Sequence, residues 1–347
     1  MSKNTDPLNA NHINTRPGVT LQKVSDSLGL LSGLAGTWVG TGFSLVELPD
    51  FDSTFPSTGP APFRLKLNKT IETLQFTPVG GTVPNRGVIT SLADPTKGQP
   101  DIQLNALSYL QRISDFVTNE PLHIEPGFWL NVPPTTVFPV QSATTVARLA
   151  TIPHGDAVSA LGVPFSVPSG PVIAAADASP IRLSDKARLI DTPGYNTPFL
   201  NPPLPPDFKL PYVANPNLAL QDAILGQKII NTVVLIITTT SESVSIPSSA
   251  NATDPNPPGT VVNIAAPTGG SVSVPAPGGG TINSSIVNIP FVVQNANAVT
   301  LDAIFWIETV QQPDGSTFLQ LQYTQTIFLQ FLGINWPHIT VATLVKQ

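Results

Sequence analysis

Residues Thr317–Lys346 read TFLQLQYTQTIFLQFLGINWPHITVATLVK, and this stretch decides the fold. Leu319, Leu321, Tyr323, Ile327, Leu329 and Phe331 share one parity; Gln320, Gln322, Thr324, Thr326 and Gln330 share the other. Two residues break the order: Gln325 puts an amide on the apolar face, and Phe328 puts a ring on the polar one. A period of two over that length, rich in aromatic and β-branched residues, marks a strand with one apolar and one polar face. Gly333, Asn335 and Pro337 then signal a tight turn. Beyond it His338, Thr340, Ala342 and Leu344 share one face, and Ile339, Val341, Thr343 and Val345 the other, so this strand is expected to be buried on both sides. His338 stands at its start. A histidine there is either a rim residue satisfied by a backbone carbonyl or a nitrogen ligand for iron, zinc or copper.

Further strands are expected upstream. Leu34–Phe43, with Gly36, Gly40 and Gly42, looks like an opening strand whose glycines permit bends or a close backbone approach. A short helical turn at Ser25–Ala35 leads into it. Phe63–Phe76 alternates Phe63, Leu65, Leu67 and Ile71 against Arg64, Lys66, Asn68 and Thr70. Leu104–Phe116, Pro121–Leu130, Val137–Pro153, Ile224–Ile246, Ile286–Val293 and Ala298–Val310 supply more, and Asp314-Gly315 is a hairpin signal. Residues 1–25 read as a polar arm and 26–347 as one domain, in which 155–285 contains a long Pro-rich excursion. Many strands, frequent turns and little helix give an all-β fold class: an antiparallel, calycin- or lipocalin-like β-barrel with long Pro-rich insertions.

Composition narrows the function. The 347 residues carry a net charge of −6 with only 11% charged residues, so no basic stripe exists for nucleic acid. Thirty-eight prolines and 25 glycines argue against a mostly helical chain. The absence of cysteine excludes disulfides, thiolate metal sites and thiol nucleophiles. No secretory signal or membrane span is read, so a cytoplasmic location is expected. The four histidines, His12, His123, His154 and His338, lack the spacing of a zinc hydrolase. No nucleophile elbow, phosphate loop or paired carboxylate dyad stands out. Residue by residue, Trp38 reads as a core plug and His154 as a loop residue. Tyr109 and Tyr323 read as packed aromatics ahead of phenolate ligands for iron, and Glu125 as a partner for a neighbouring strand, Arg112 or Arg148 ahead of a proton relay.

Three segments in order change the reading: Gly36-Thr-Trp-Val-Gly-Thr-Gly42, His123-Ile-Glu-Pro-Gly-Phe128 and Pro337-His-Ile-Thr-Val-Ala-Thr-Leu344. Together they resemble the nitrobindin family, fatty-acid-binding-protein-like barrels that carry haem, over about half of the chain. The resemblance implies haem b with iron bound by His338. It implies His123 on the other face of the pocket, and Thr37 and Trp38 near the porphyrin. The chain departs from that pattern in size: His123 and His338 lie 215 positions apart (338 − 123), the excess falling mainly in 155–285, with inserts at 44–62 and 77–103.

The resulting expectation is a haem-binding barrel that binds or converts small reactive molecules such as nitric oxide, peroxynitrite or peroxide. If it is an enzyme, it is a haem-dependent isomerase or peroxidase. A haem-free carrier of an apolar small molecule is the alternative, needing only the barrel and its interior. A surface β-sandwich is the third reading, against which the lack of a signal peptide counts. The expected partner is a small molecule inside the barrel, and a homodimer is compatible with the sequence.

Overall fold

A computed structural model of the chain describes residues 21–49, 63–94, 96–136, 144–189, 204–239 and 285–347. Ten strands form a closed antiparallel barrel: β1 (Gly36–Pro49), β2 (Phe63–Pro78), β3 (Ile102–Asp115), β4 (Pro121–Val132), β5 (Thr145–Ile152), β6 (Asp156–Val167), β7 (Lys228–Thr238), β8 (Asn297–Gln311), β9 (Thr317–Phe331) and β10 (Ile334–Lys346). Each pairs with the next in the chain, and β10 pairs with β1 from Trp38↔Lys346 to Leu45↔Ile339. Closure leaves this sheet without the unpaired main-chain edge that an open sheet would present. The all-β expectation is met. At the seam β1 and β10 run close: a Cβ on Gly42 would lie 2.2 Å from the Val341 carbonyl oxygen, so only glycine fits there.

One end of the barrel is stoppered. Helix α1 (Leu21–Leu28) and the 3-10 turn Gly29–Leu34 bury Leu28, Leu31 and Leu34 against the inward faces of the strands. Trp38 is fully buried among them and donates its indole N–H to the Leu34 carbonyl at 2.7 Å. Trp129 and Phe305 meet edge to face at 5.1 Å in the same core, a geometry the ring quadrupoles favour.

The outer face is covered along one side. Phe208, Tyr212 and Val213 pack on Leu45, with Leu65 and Leu67 beside them. Ile173, Ala178 and Leu220, the last in helix α2 (Asn217–Ala223), pack on Trp306, Ile339 and Val341. This is why β10 is buried on both faces from Ile339 to Ala342, as its sequence implies. Gln320 and Gln322 also lie beneath this cover, so that part of the polar face of β9 does not meet water. The Gln322 Nε2 donates to the Leu220 carbonyl at 2.9 Å and to the Thr343 hydroxyl at 2.8 Å.

Several sequence expectations need correction. The turn before β10 is Leu332-Gly333, both at positive φ, so Asn335 and Pro337 already belong to the strand. Within the span 155–285 lie two barrel strands, β6 and β7, the first of which the sequence reading did not separate from the excursion. Gly162 and Pro164 hide the alternation of β6, yet Pro164 sits opposite Leu235 inside the barrel wall. Of the expected strand 286–293 only 286–288 is extended, within the short strand Ser285–Asn288; Pro290 then starts helix α3 (Pro290–Asn295), using a residue whose missing N–H suits a first helical position. His12, most of the polar arm, Gly278–Gly280 and 137–143 lie outside the described residues. No helix among the described residues is long and apolar enough to cross a membrane.

Candidate functional site

The inward parity of each strand carries large side chains at the stoppered end and leaves room at the other. There a cavity of about 410 Å³ opens, within the size range of small-molecule sites. Apolar residues line its upper wall: Val46 and Leu48 of β1, Leu122 of β4, Ile327 and Leu329 of β9, and Val292 of α3. Ser44, Gln111, Tyr323, Gln325 and Thr340 line it more deeply, as the strand order dictates, since each stands nearer the stoppered end on its strand. His123, His154, Asp156 and His338 complete the ring, with the exposed Lys66 among the lining residues.

His338 and His123 are therefore brought together in one cavity, from opposite sides of the barrel. Thr37 and Trp38 are not: they begin β1, whereas its cavity-lining residues start at Ser44, roughly 20 Å further along at ~3.3 Å per residue. Trp38 shares the inward parity of Ser44 but fills the stoppered end.

The His338 ring has Ser44 Oγ 3.5 Å from its Nε2, the outer limit of a hydrogen bond, so that nitrogen is only weakly engaged. Burial, with His123 and His154 nearby, pushes its pKa down to about 3. The imidazole is neutral at any physiological pH, which is the form that offers a lone pair. His154 stacks obliquely on His123 at 5.7 Å between ring centres, and burial and that neighbour lower its pKa too. Asp156 is raised by burial, and its Oδ1 has no hydrogen-bond partner among the described residues.

Beneath the cavity lies a polar layer. His123 Nε2 sits 3.2 Å from Glu125 Oε2. Glu125 is paired with Arg148, and both are almost wholly buried. Burial alone would raise the Glu125 carboxyl; the Arg148 charge and the hydrogen bonds from His123 and Tyr109 outweigh it and hold it down to about 2. Arg148 also donates to the Tyr109 hydroxyl at 2.9 Å and to Gln325 Oε1 at 2.6 Å. Beside this group Tyr323 donates to Glu72 at 2.5 Å and accepts from Gln111 Nε2 at 2.9 Å. Glu72, which also accepts from Thr70 at 2.9 Å, forms no ion pair among the described residues, and burial raises its pKa against those bonds and the charge of nearby His123.

Of the alternatives open for Glu125, the structure selects Arg148. Sequence reasoning passed over His154, Gln111 and Gln325 as site residues and took Tyr323 for a packed aromatic in preference to an iron ligand. Gln325 alone carried a signal, as the polar residue that broke the apolar parity of its strand. Among the described residues no group of three or more His, Asp or Glu stands where it could hold a metal ion. A haem iron needs only one such ligand from the protein, and the neutral, weakly engaged Nε2 of His338 suits that donor role.

No family model and no curated protein matches the chain. Among solved structures it is similar to Rv2717c from M. tuberculosis, at 14% identity and a TM-score of 0.37, over 92% of this chain and 97% of that one. A likeness of that strength carries nothing about the site.

Proposed function

We propose that the protein binds a small molecule in this cavity, and that the molecule is haem with its iron bound by His338. The observation that carries the reading is a neutral imidazole in the wall of a largely apolar cavity whose upper end opens toward solvent. The three ordered motifs add to it. His338 would hold the iron through a ring nitrogen, Lys66 would offer a cation to a carboxylate of the porphyrin, and the apolar upper wall would exclude water from the ring. His123 would face the bound group from across the barrel, oriented by Glu125. The iron would supply the chemistry, binding nitric oxide or turning over peroxynitrite or peroxide. The protein's part is access, orientation and electrostatics.

The test is the absorption spectrum of protein produced with haem supplied. A Soret band that shifts or disappears in His338→Ala is expected. No band, or one unchanged by that substitution, refutes the assignment. A haem-free carrier is the second reading, favoured by the apolar upper wall over a polar floor; mass spectrometry of the native protein separates the two.

A further inference from the structure

The floor of the cavity has a hydrogen-bonding polarity of its own, independent of iron. A guanidinium only donates, so the Gln325 atom facing Arg148 Nη1 at 2.6 Å must be its oxygen. The two N–H donors of that amide are thereby directed away from Arg148, on a side chain that lines the cavity. Gln111 is fixed in the opposite sense. Its Nε2 donates to the Tyr323 hydroxyl at 2.9 Å, which leaves its Oε1 as an acceptor on another cavity-lining side chain. Tyr323 itself is spent, because its proton goes to Glu72 at 2.5 Å. The floor thus offers a donor from Gln325 and an acceptor from Gln111, the first oriented by Arg148, which does not line the cavity, and the second by Tyr323, which does.

The charges beneath the floor decide what that pair accepts. Arg148 is compensated by Glu125 and is not among the cavity-lining residues. Glu72 lies one hydrogen bond behind Tyr323 and forms no ion pair among the described residues, with His123 as the nearby group whose charge bears on it. A carboxylate brought down to the floor would lose its hydration, meet the Gln325 amide and the Ser44 and Thr340 hydroxyls in place of a counter-charge, and face a buried carboxyl that burial already disfavours as an anion. Removing a charge from water without a counter-charge is far costlier than removing a hydroxyl that both donates and accepts. Above the floor the wall is apolar: Val46, Leu48, Leu122, Ile327, Leu329 and Val292.

We propose that the cavity takes neutral-headed, apolar-tailed molecules — alcohols or primary amides — with the head hydrogen-bonded to Gln325 and Gln111 at the floor and the tail along the upper wall. Carboxylates of the same tail are discriminated against. This rests on the cavity being a ligand site, and not on haem.

The experiment uses the full chain, freed of haem by acid extraction and refolded, with the fluorescent probe anilinonaphthalene sulfonate in the cavity. Displacement by 1-decanol and by decanoate is compared at pH 8, where decanoate is fully ionised. Decanol is expected to displace the probe at least about tenfold more tightly. In Gln325→Met, which keeps the volume and removes the donor, the decanol affinity should fall about tenfold, as for loss of one buried hydrogen bond. Gln111→Leu should weaken decanol in the same direction, and circular dichroism reports whether either variant is folded. On the wild-type protein alone, decanoate should gain affinity as the pH falls toward its own pKa. Equal affinity for the two compounds, or a preference for decanoate, overturns the proposal. Haem binding with no displacement by either compound overturns it while leaving the cavity as a site. Failure of probe, haem and both amphiphiles together overturns the cavity reading as well.

Discussion

Replacing Arg148 by methionine tests the polar layer beneath the cavity. Methionine keeps an apolar stem and removes the guanidinium, whose carbon lies 5.7 Å and 5.8 Å from the ring centres of Tyr109 and Phe305, so the change is chiefly one of charge. Arg148 and Glu125 are each about 1% exposed, so neither charge has water to fall back on. Removing one partner of a buried pair leaves the other uncompensated, at about 3–5 kcal/mol. In this chain the orphan keeps His123 and the Tyr109 hydroxyl, which places the expected loss at the lower end of that range. Equilibrium urea unfolding at pH 7 measures it. The double variant Arg148→Met with Glu125→Gln should lose less than the two single losses combined, with a coupling of about 2 kcal/mol or more. The pH dependence should also change sign. In the native protein Glu125 titrates near 2 instead of 4.5, so its stabilisation is present above about 4.5 and is lost as pH falls through 2. Without Arg148, burial becomes dominant and raises the same carboxyl. Its contribution should then fall as pH rises. A loss below about 1 kcal/mol, or strict additivity in the double variant, would refute the view that this pair holds the layer together.

Two further outcomes concern regions away from the cavity. Trp38→Ala should destabilise by about 3–5 kcal/mol in urea unfolding, because it empties the stoppered end, while displacement constants at the far cavity stay unchanged. Glu308, covered by the segment over the outer face, accepts from Gln320 at 2.6 Å and is raised by burial from 4.5 to about 7. The folded protein therefore keeps a proton there that the unfolded chain releases. Stability should fall as pH rises from about 4.5 to 7, by at most about 3 kcal/mol, and Glu308→Gln should remove that slope. A pH profile shared by native protein and variant would show that another group is responsible.

How much was legible follows from where each side chain's surroundings come from. The strands β9 and β10 were readable because alternation is a local property, and the doubly apolar run of β10 announced its cover. β2 was readable as a strand but not in its orientation. Leu65 and Leu67 look like its core face, yet Lys66 and Asn68 line the cavity while the leucines pack outward under Phe208 and Tyr212. That inversion depends on a segment more than a hundred positions away in the sequence. The motifs at His123 and His338 brought two cavity residues into view, because each sits at the mouth end of its strand. Thr37 and Trp38 share a motif with the same strand as Ser44 but lie at its other end, and a motif carries no depth along the barrel axis. His154 and Asp156 enter the site only because the β5–β6 turn returns beside His123.

The seam between β1 and β10 ties Trp38 to Lys346, 308 positions apart (346 − 38). Bringing such distant positions together is entropically demanding, and most of that penalty is met before any reward arrives. Ser44 and His338 come from the two sides of that seam, so a chain whose barrel has not closed has no complete binding site. Occupancy and closure are thus thermodynamically one event. Any molecule that fits the interior acts as a clasp, drawing the ensemble toward the shut form in proportion to its concentration over its dissociation constant.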